Sequence, residues 1–591
     1  MLTLTPFVGI LRPMPARNGP AHVVTTRRAY KGKLYETHLL RRTYRQDGKV
    51  KNETLGNLSH LAASVIELVR RALRGETLVS ADQAFEVCAS PAHGDAQAVL
   101  RAIERLGLRE LLAVRRCRES DVVIGMIAAR VIAPHTKLAT TRWWRTRTLA
   151  EDLGIADADE DALYAAMDWL LERQGAIEKK LARRHLAEGA LALYDLSSSY
   201  FEGTHCPLAK LGHDRDGKRG KLQVNYGLLT NRRGIPVAVS VYEGNTADTK
   251  TLLPQVRKLQ DDFGLSRVVL VGDRGMIGQS TVEVLKTQAG IAWITALKSA
   301  QIRALIAGEA LQLGLFDERN LIEFAHPDYP GERLFACRNP DLATLRAHKR
   351  EALLQATAQE LEKVRALIER GRLKAAGAIG VHAGRVVNKY KVAKHFELTI
   401  EDRRFEFKRI EDAIAAEAAQ DGLYVIRTSL SAAQMSAPEA VRSYKALAEV
   451  ERAFRTLKTV DLKVRPIHHR LADRVRAHIL LCMLAYYVEW HMRDAWRPLL
   501  FADEDLEAKA KRDPVAPAKR SARAQRKAAT HTLEDESQAH SFRTLMEELA
   551  SIVRNTCRTP GSDGSAPTFQ LTTRPNLKQK QALDLIETIN A

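Results

Sequence analysis

The sequence predicts an α/β core, a mixed five-stranded sheet with flanking helices, broken by a long insertion and bracketed by mainly helical N-terminal and C-terminal regions. Three observations predict it. Residues 190–300 alternate between apolar runs and amphipathic stretches in the order strand, strand, strand, helix, strand, helix, strand. Two of those strands deliver an aspartate: Ala190-Leu-Ala-Leu-Tyr-Asp195 and Arg267-Val-Val-Leu-Val-Gly-Asp273. Much later, Tyr444 to Lys458 has helical spacing and carries Glu451 among cations.

The N-terminal region opens with Met1 to Gly19, broken by Pro6, Pro13 and Pro15 and without the basic-then-apolar pattern of a signal peptide. Tyr30 to Leu58 reads as short strands turning at Asp47-Gly48, rich in cations from Lys31 to Lys51. Residues 1–62 are therefore a basic β-hairpin region. Residues 63–188 are helical by period, with helices over Ser64 to Arg74, over Asp121 to Ile132 behind Ser120 as N-cap, and over Asp161 to Leu186. Lys137 to Arg147 holds Trp143 and Trp144 among arginines. It either grips DNA or packs its tryptophans inward with the arginines solvated. If the partner is DNA, its recognition is expected within residues 1–150, on these basic segments.

The first part of the core is residues 189–300, with a hairpin at Asn231-Arg-Arg-Gly234 and strands from Leu222, Ile235 and Ile291. Asp195 to Asp273 spans 78 residues (273 − 195), enough for this unit. Asp273 to Glu451 spans 178 (451 − 273), so an insertion is assigned to residues 301–420, with strand-like pieces and one long charged helix from Leu342 to Arg372. The core resumes over residues 421–500, where the Glu451 helix starts near Ala437 behind Ser436. Residues 501–591 read as a basic, disordered linker over 507–530 followed by C-terminal helices.

Composition narrows the function classes. A chain of 591 residues implies several domains. Its 91 Lys+Arg against 71 Asp+Glu, a net +20, fits a polyanionic partner, although solubility or nonspecific adhesion also explains such an excess. The six cysteines, Cys88, Cys117, Cys206, Cys337, Cys482 and Cys557, have no paired spacing, which points to reduced thiols rather than disulfides or zinc. The apolar run Ile479 to Val488 is too short to span a bilayer, so a soluble protein without a membrane partner is expected.

Tyr444, Leu447, Glu451, Arg455 and Lys458 follow gaps of 3, 4, 4 and 3 and share one helical face. Beside it, Leu447, Val450, Phe454 and Leu457 form the apolar stripe, while Glu449 points to solvent. An aspartate alone at a strand end is commonly a turn former or helix cap. Two of them with Glu451 in a basic chain suit metal-assisted phosphodiester chemistry.

On these residues the chain resembles the DDE transposases of bacterial insertion sequences, in the branch with a Tyr-Arg-Glu-Lys signature around the catalytic glutamate and a large insertion before it. Tyr444, Glu451 and Lys458 match the signature, and Leu447 stands at its Arg position. The resemblance covers roughly residues 190–300 and 420–495. It implies an RNase H-like core, a β-rich insertion contacting DNA ends, and Asp195, Asp273 and Glu451 as catalytic metal ligands. It implies two Mg²⁺ ions, with Mn²⁺ as substitute, and Asp195 bridging them. Tyr444, Lys458, Arg455, Arg452, Arg274, Lys463, Arg465, His469 and Arg470 are the DNA-binding set; Arg452 or Arg455 stands in for the missing arginine. His468 and His469, in a basic loop, fit phosphate contact or plain surface better than metal. The implied activity is cleavage at the terminal inverted repeats and strand transfer into target DNA, by a homodimer on double-stranded DNA in the bacterial cytoplasm at the nucleoid. Trp293 is a candidate to hold a flipped base if a hairpin intermediate is used. The rival readings are an RNase H-like nuclease without strand transfer and a non-catalytic DNA-binding protein derived from a transposase.

Overall fold

The computed structural model describes residues 19–76, 84–311, 316, 320–516, 519–558 and 567–590. The Met1 to Gly19 reading lies almost wholly outside them. The chain divides into two compact units, one of residues 1–90 and 555–571, the other of residues 91–554 and 572–591.

In the first unit, β1 (Ala21–Tyr30), β2 (Lys33–Gln46) and β3 (Lys49–Asn57) form an antiparallel meander. Asp47 and Gly48 turn with φ of 54° and 73°, the pair of positive values a tight hairpin needs. Helix α1 (Ala63–Leu73) packs on β1, and β4 (Glu86–Ala89) belongs to a separate three-stranded sheet described below.

The second unit begins with helices α2 (Gly94–Arg105), α3 (Leu108–Leu112), α4 (Arg118–Ile132), α5 (Lys137–Trp143), α6 (Leu149–Leu153), α7 (Glu160–Glu172) and α8 (Gln174–His185). Helix α4 starts a turn earlier than its sequence suggests, with Cys117 at the N-cap and Ser120 three residues in. The stretch expected as one helix from Asp161 to Leu186 breaks at Arg173, whose guanidinium stacks on Trp169.

The core sheet follows: β5 (Leu191–Tyr200), β6 (Gln223–Asn231), β7 (Pro236–Glu243), α9 (Asp248–Arg257), β8 (Val268–Val271), α10 (Gln279–Lys286) and β9 (Ile291–Ala296). The sheet has eight strands instead of five. Its order is β10-β11-β14-β9-β8-β5-β6-β7, with β8 parallel to β5 and β9 and the other neighbours antiparallel. The three added strands, β10 (Leu321–Phe324), β11 (Arg333–Arg338) and β14 (Leu423–Thr428), come from and after the inserted segment and continue the sheet beyond β9.

Helix α11 (Ser299–Ala307) precedes β10, and the rest of the insertion is more helical than β-rich. It holds α12 (Pro340–Glu369), α13 (Ala376–Tyr390), the hairpin β12 (Phe396–Glu401) and β13 (Arg404–Arg409), and α14 (Glu411–Ala418). Leu354, Leu361, Ile379, Phe396 and Phe405 give these elements a core of their own.

Helices α15 (Ala437–Lys445) and α16 (Leu447–Arg455) replace the expected single helix; they separate at Ala446, and a π-helical turn, Thr456–Val460, follows. Next comes α17 (Ala472–Ala495), buried along most of its length between α4, α7 and β7. That surrounding explains its lack of a polar face. The chain ends with α18 (Leu506–Lys511), α19 (Ala522–Thr530), α20 (Phe542–Ala550), β15 (Arg554–Arg558), β16 (Thr568–Thr572) and α21 (Leu577–Ile586); β16, β15 and β4 form the second three-stranded sheet.

The expected disordered linker is corrected as well. The Lys527 ammonium in α19 is buried, donating to the carbonyls of Arg497, Pro498 and Leu500 and to Glu504. Among the described residues no single helix is long and apolar enough to cross a membrane.

Candidate active site

Strand pairing aligns the two aspartates. In the parallel pair, Leu193 lies beside Val271. Two residues further along the chain from this pair come Asp195, still within β5, and Asp273, in the turn that follows β8. Asp195 stays within β5, opposite Leu228 of β6. Asp273 lies just past β8 at an exposed turn, where its carbonyl accepts from Met276 N–H at 3.0 Å and Ile277 N–H at 2.9 Å and its carboxylate from Gly275 N–H at 3.3 Å.

Glu451 is supplied by α16, which packs on β5 through buried Val450, Ala453 and Phe454. Phe454 meets Tyr226 of β6 edge-on, ring centroids 5.8 Å apart. This leaves Glu451 on the exposed side.

The Asp195 carboxyl feels its burial and the other two acids. Burial pushes the Asp195 carboxyl up to about 7, with Asp273 and Glu451 adding to the rise and the Leu196 N–H, donating to the Asp195 carboxylate at 2.8 Å, opposing it. Tyr444, beside Asp273 and Glu451, has its hydroxyl pushed up, first by burial and then by those charges, while Arg274 opposes. Neighbouring acids, one of them raised by burial and by the others' charge, suit a hard divalent cation, which oxygen ligands favour. Among the described residues no group of three or more His, Cys, Asp or Glu is already closed to metal-ligand spacing.

Family models match two parts of this chain. Residues 198–488 match the transposase DDE domain, and residues 23–84 match the N-terminal domain of the IS1634 family of transposases. The chain belongs to the DDE-type insertion-sequence transposases.

The DDE match begins three residues after Asp195, so it contains Asp273 and Glu451 and leaves Asp195 to the strand register above. No curated protein is significantly similar to this transposase. Among solved structures, a piggyBac transposase synaptic complex with hairpin DNA, studied by cryo-EM, aligns at 8% identity and a TM-score of 0.33, covering 77% of each chain. A score that low carries no argument.

The transposase scatters the remaining sequence-predicted residues. Arg274, Arg455, Lys463 and Arg470 are exposed. Arg452 is exposed too, but pairs with Glu449 at 2.5 Å; Glu449 is half-buried and also faces Lys509 at 3.3 Å, so it is not merely solvated. Lys458 and Arg465 are not free cations. Both hold Asp216, Lys458 Nζ at 2.9 Å, and the Asp216 side chain is fully buried. Lys458 lies in the π-helical turn rather than in the regular α-helix of Glu451, and its ammonium is taken up by this partner. His469 packs against Tyr164 and His478, and burial lowers it to about 3, so it has no charge to offer a phosphate. Trp293 is 1% exposed beneath Arg427, which removes it as a holder of a flipped base in this arrangement. Trp144 is buried and Trp143 stacks with Arg147, itself paired to Asp95 at 2.9 Å; Arg142 and Arg145 stay exposed.

Sequence reasoning missed Arg215 and Asp216, which sit in the loop between β5 and β6. Arg215 pairs with Asp248 at 2.5 Å and faces Asp195. Asp216 also accepts the Tyr200 N–H at 3.1 Å, tying the end of the Asp195 strand to the turn after the Glu451 helix. An irregular loop has no periodicity to reveal such partners; the alternation Asp214-Arg215-Asp216 is the only local signal.

Proposed function

We propose that this transposase binds the terminal inverted repeats of its insertion sequence, cleaves the DNA there in a divalent-metal-dependent step, and transfers the freed ends to target DNA as a homodimer on the nucleoid of a bacterial cell. The observation that carries the proposal is the trio of carboxylates from β5, the end of β8 and α16: burial drives Asp195 up to about 7, and the charges of Asp273 and Glu451 add to the rise. The order β7-β6-β5-β8-β9, three antiparallel strands followed by two parallel ones, supports an RNase H-like reading of the central five strands.

Asp195, Asp273 and Glu451 would hold the metal, which we take to be a pair of Mg²⁺ ions. When bound, such a pair activates the attacking oxygen and stabilises the leaving one. The chain's own residues position the DNA. Arg274 and Arg455, exposed close to the acids in sequence, supply phosphate contacts, and Lys463 and Arg470 extend the basic surface along the loop before α17. Tyr444 keeps its proton beside Asp273, so its hydroxyl remains a donor to a strand-end phosphate. Arg215 faces Asp195 and stabilises its ionised form.

The test is cleavage and joining of labelled DNA carrying the element end, with Mg²⁺, for the wild type, Asp195→Asn and Glu451→Gln. Nicking and joining abolished in both variants supports the proposal. Cleavage without joining replaces it with a nuclease, and specific binding without metal-dependent cleavage replaces it with a DNA-binding remnant.

A further inference from the structure

Behind the loop that carries Lys463, the second unit buries a group of basic side chains with no acid among them. Arg130 from the last turn of α4 is 7% exposed and Lys137 from the first turn of α5 is 5% exposed. Among the described residues Lys137 has neither a hydrogen-bond nor an ion-pair partner in the transposase. The charged and polar groups that act on it are Arg130, a second cation, and the Cys482 thiol. Arg130 is scarcely better served. Its two hydrogen bonds, to the carbonyls of Leu462 and His135, are both 3.4 Å long, beyond the usual range for a charged donor.

Two histidines line the walls. His478 donates to the Val464 carbonyl at 3.2 Å, and the His469 ring lies 5.1 Å from it. Both imidazoles feel Arg130 and Lys137 and are held neutral mainly by burial. Toward solvent, the group ends at exposed His135 and Lys463. Buried cations are normally paired, because an ammonium withdrawn from water without an anion is strongly disfavoured. Burial here pushes Lys137 down to about 7. The Lys137 side chain is buried, but its ammonium is not wholly closed off, because Nζ is not among the fully enclosed unpartnered polar atoms of the described residues.

We propose that Arg130 and Lys137 form a phosphate-binding subsite, entered past His135 and Lys463, that takes one backbone phosphate of bound DNA. The identity of the phosphate carrier rests on the proposed function; the presence of an anion site does not. Lys137 reaches the phosphate as a compact donor, and Arg130, released from two long carbonyl contacts, meets it from the opposite helix.

The test uses the full-length protein without metal. Affinity for a short duplex is measured over a series of salt concentrations for the wild type, Lys137→Gln and Lys137→Arg, and thermal melting is followed with and without inorganic phosphate at constant ionic strength. The expected result is a roughly tenfold weaker affinity and a slope of log K against log salt smaller by about 1 in Lys137→Gln. Lys137→Arg, which keeps the charge, retains the slope and guards against a folding defect. Inorganic phosphate raises the melting temperature of the wild type and not of Lys137→Gln. An unchanged slope together with no phosphate shift overturns the subsite. A phosphate shift with unchanged DNA binding overturns DNA as the carrier and leaves a site for a free phosphate. If the wild type binds no DNA, the functional reading fails and the phosphate arm alone decides the site.

Discussion

Replacing Asp216 with Asn removes the negative charge that faces Lys458 and Arg465 while preserving side-chain size. Lys458 Nζ lies 2.9 Å from the carboxylate, where Coulomb's law gives about 6 kcal/mol at an effective dielectric of about 20. Part of this is recovered. The amide oxygen introduced by Asp216→Asn still accepts the Tyr200 N–H, and Arg465, 22% exposed at its side chain, can turn toward water. Lys458 has less freedom: its side chain is 10% exposed, and burial already lowers its proton affinity while Asp216 holds it up. Breaking one side of a buried pair costs about 3–5 kcal/mol, and that is the expected loss for Asp216→Asn. The assay is amide hydrogen exchange at Tyr200, whose N–H donates to Asp216 at 3.1 Å. Exchange should accelerate roughly a hundred- to several-thousand-fold. In a Lys458→Met background the same substitution should cost less than half as much, because the stranded ammonium is gone. Acceleration below about threefold, or an equal effect in both backgrounds, would refute the ionic clasp.

Two further outcomes follow from the core. The Asp195 carboxyl is raised above its ordinary range, so the folded state takes up a proton that the unfolded chain releases; the associated stability is present below the ordinary carboxylate range and lost as pH rises through about 7. Asp195→Asn should therefore melt higher than the metal-free wild type above pH 7, and added Mg²⁺ should raise the wild-type melting temperature there but not the variant's; calorimetry across pH checks both, and identical pH profiles would contradict the burial that raises the Asp195 carboxyl. A Cβ at Gly227 of β6 would come 2.1 Å from the hydroxyl oxygen of buried Tyr194, so Gly227→Ala should destabilise by about 1–3 kcal/mol, with partial recovery when Tyr194→Phe removes that oxygen; urea denaturation of the single and double variants reads the difference.

Much of the transposase was legible locally. The Asp47-Gly48 turn, the Asn231 to Gly234 hairpin and the start of α15 behind Ser436 each depend on a few neighbouring residues, so their chemistry is written in adjacent letters. The apolar strands that lead to Asp195 and Asp273 belong to the same class, although β5 runs on past Asp195 and β8 stops two residues short of Asp273, as does the stripe of Val450 and Phe454 that turns Glu451 outward. The tertiary structure decided what depends on distant partners. The segment Gly422 to Thr428 reads as a strand returning to the core, and it does so as β14 beside β9; strands β10 and β11 then extend the sheet because the outer edge of β14 offers unpaired backbone groups, and nothing within those two strands names that edge. Cations were the hardest to place. Lys137, Lys458 and Lys527 stand in polar surroundings that read as solvated, yet all three are buried. A charge's own neighbours in sequence fix its helix or loop; whether it faces water, an aspartate, a row of carbonyls or another cation is set by what the fold brings from far along the chain.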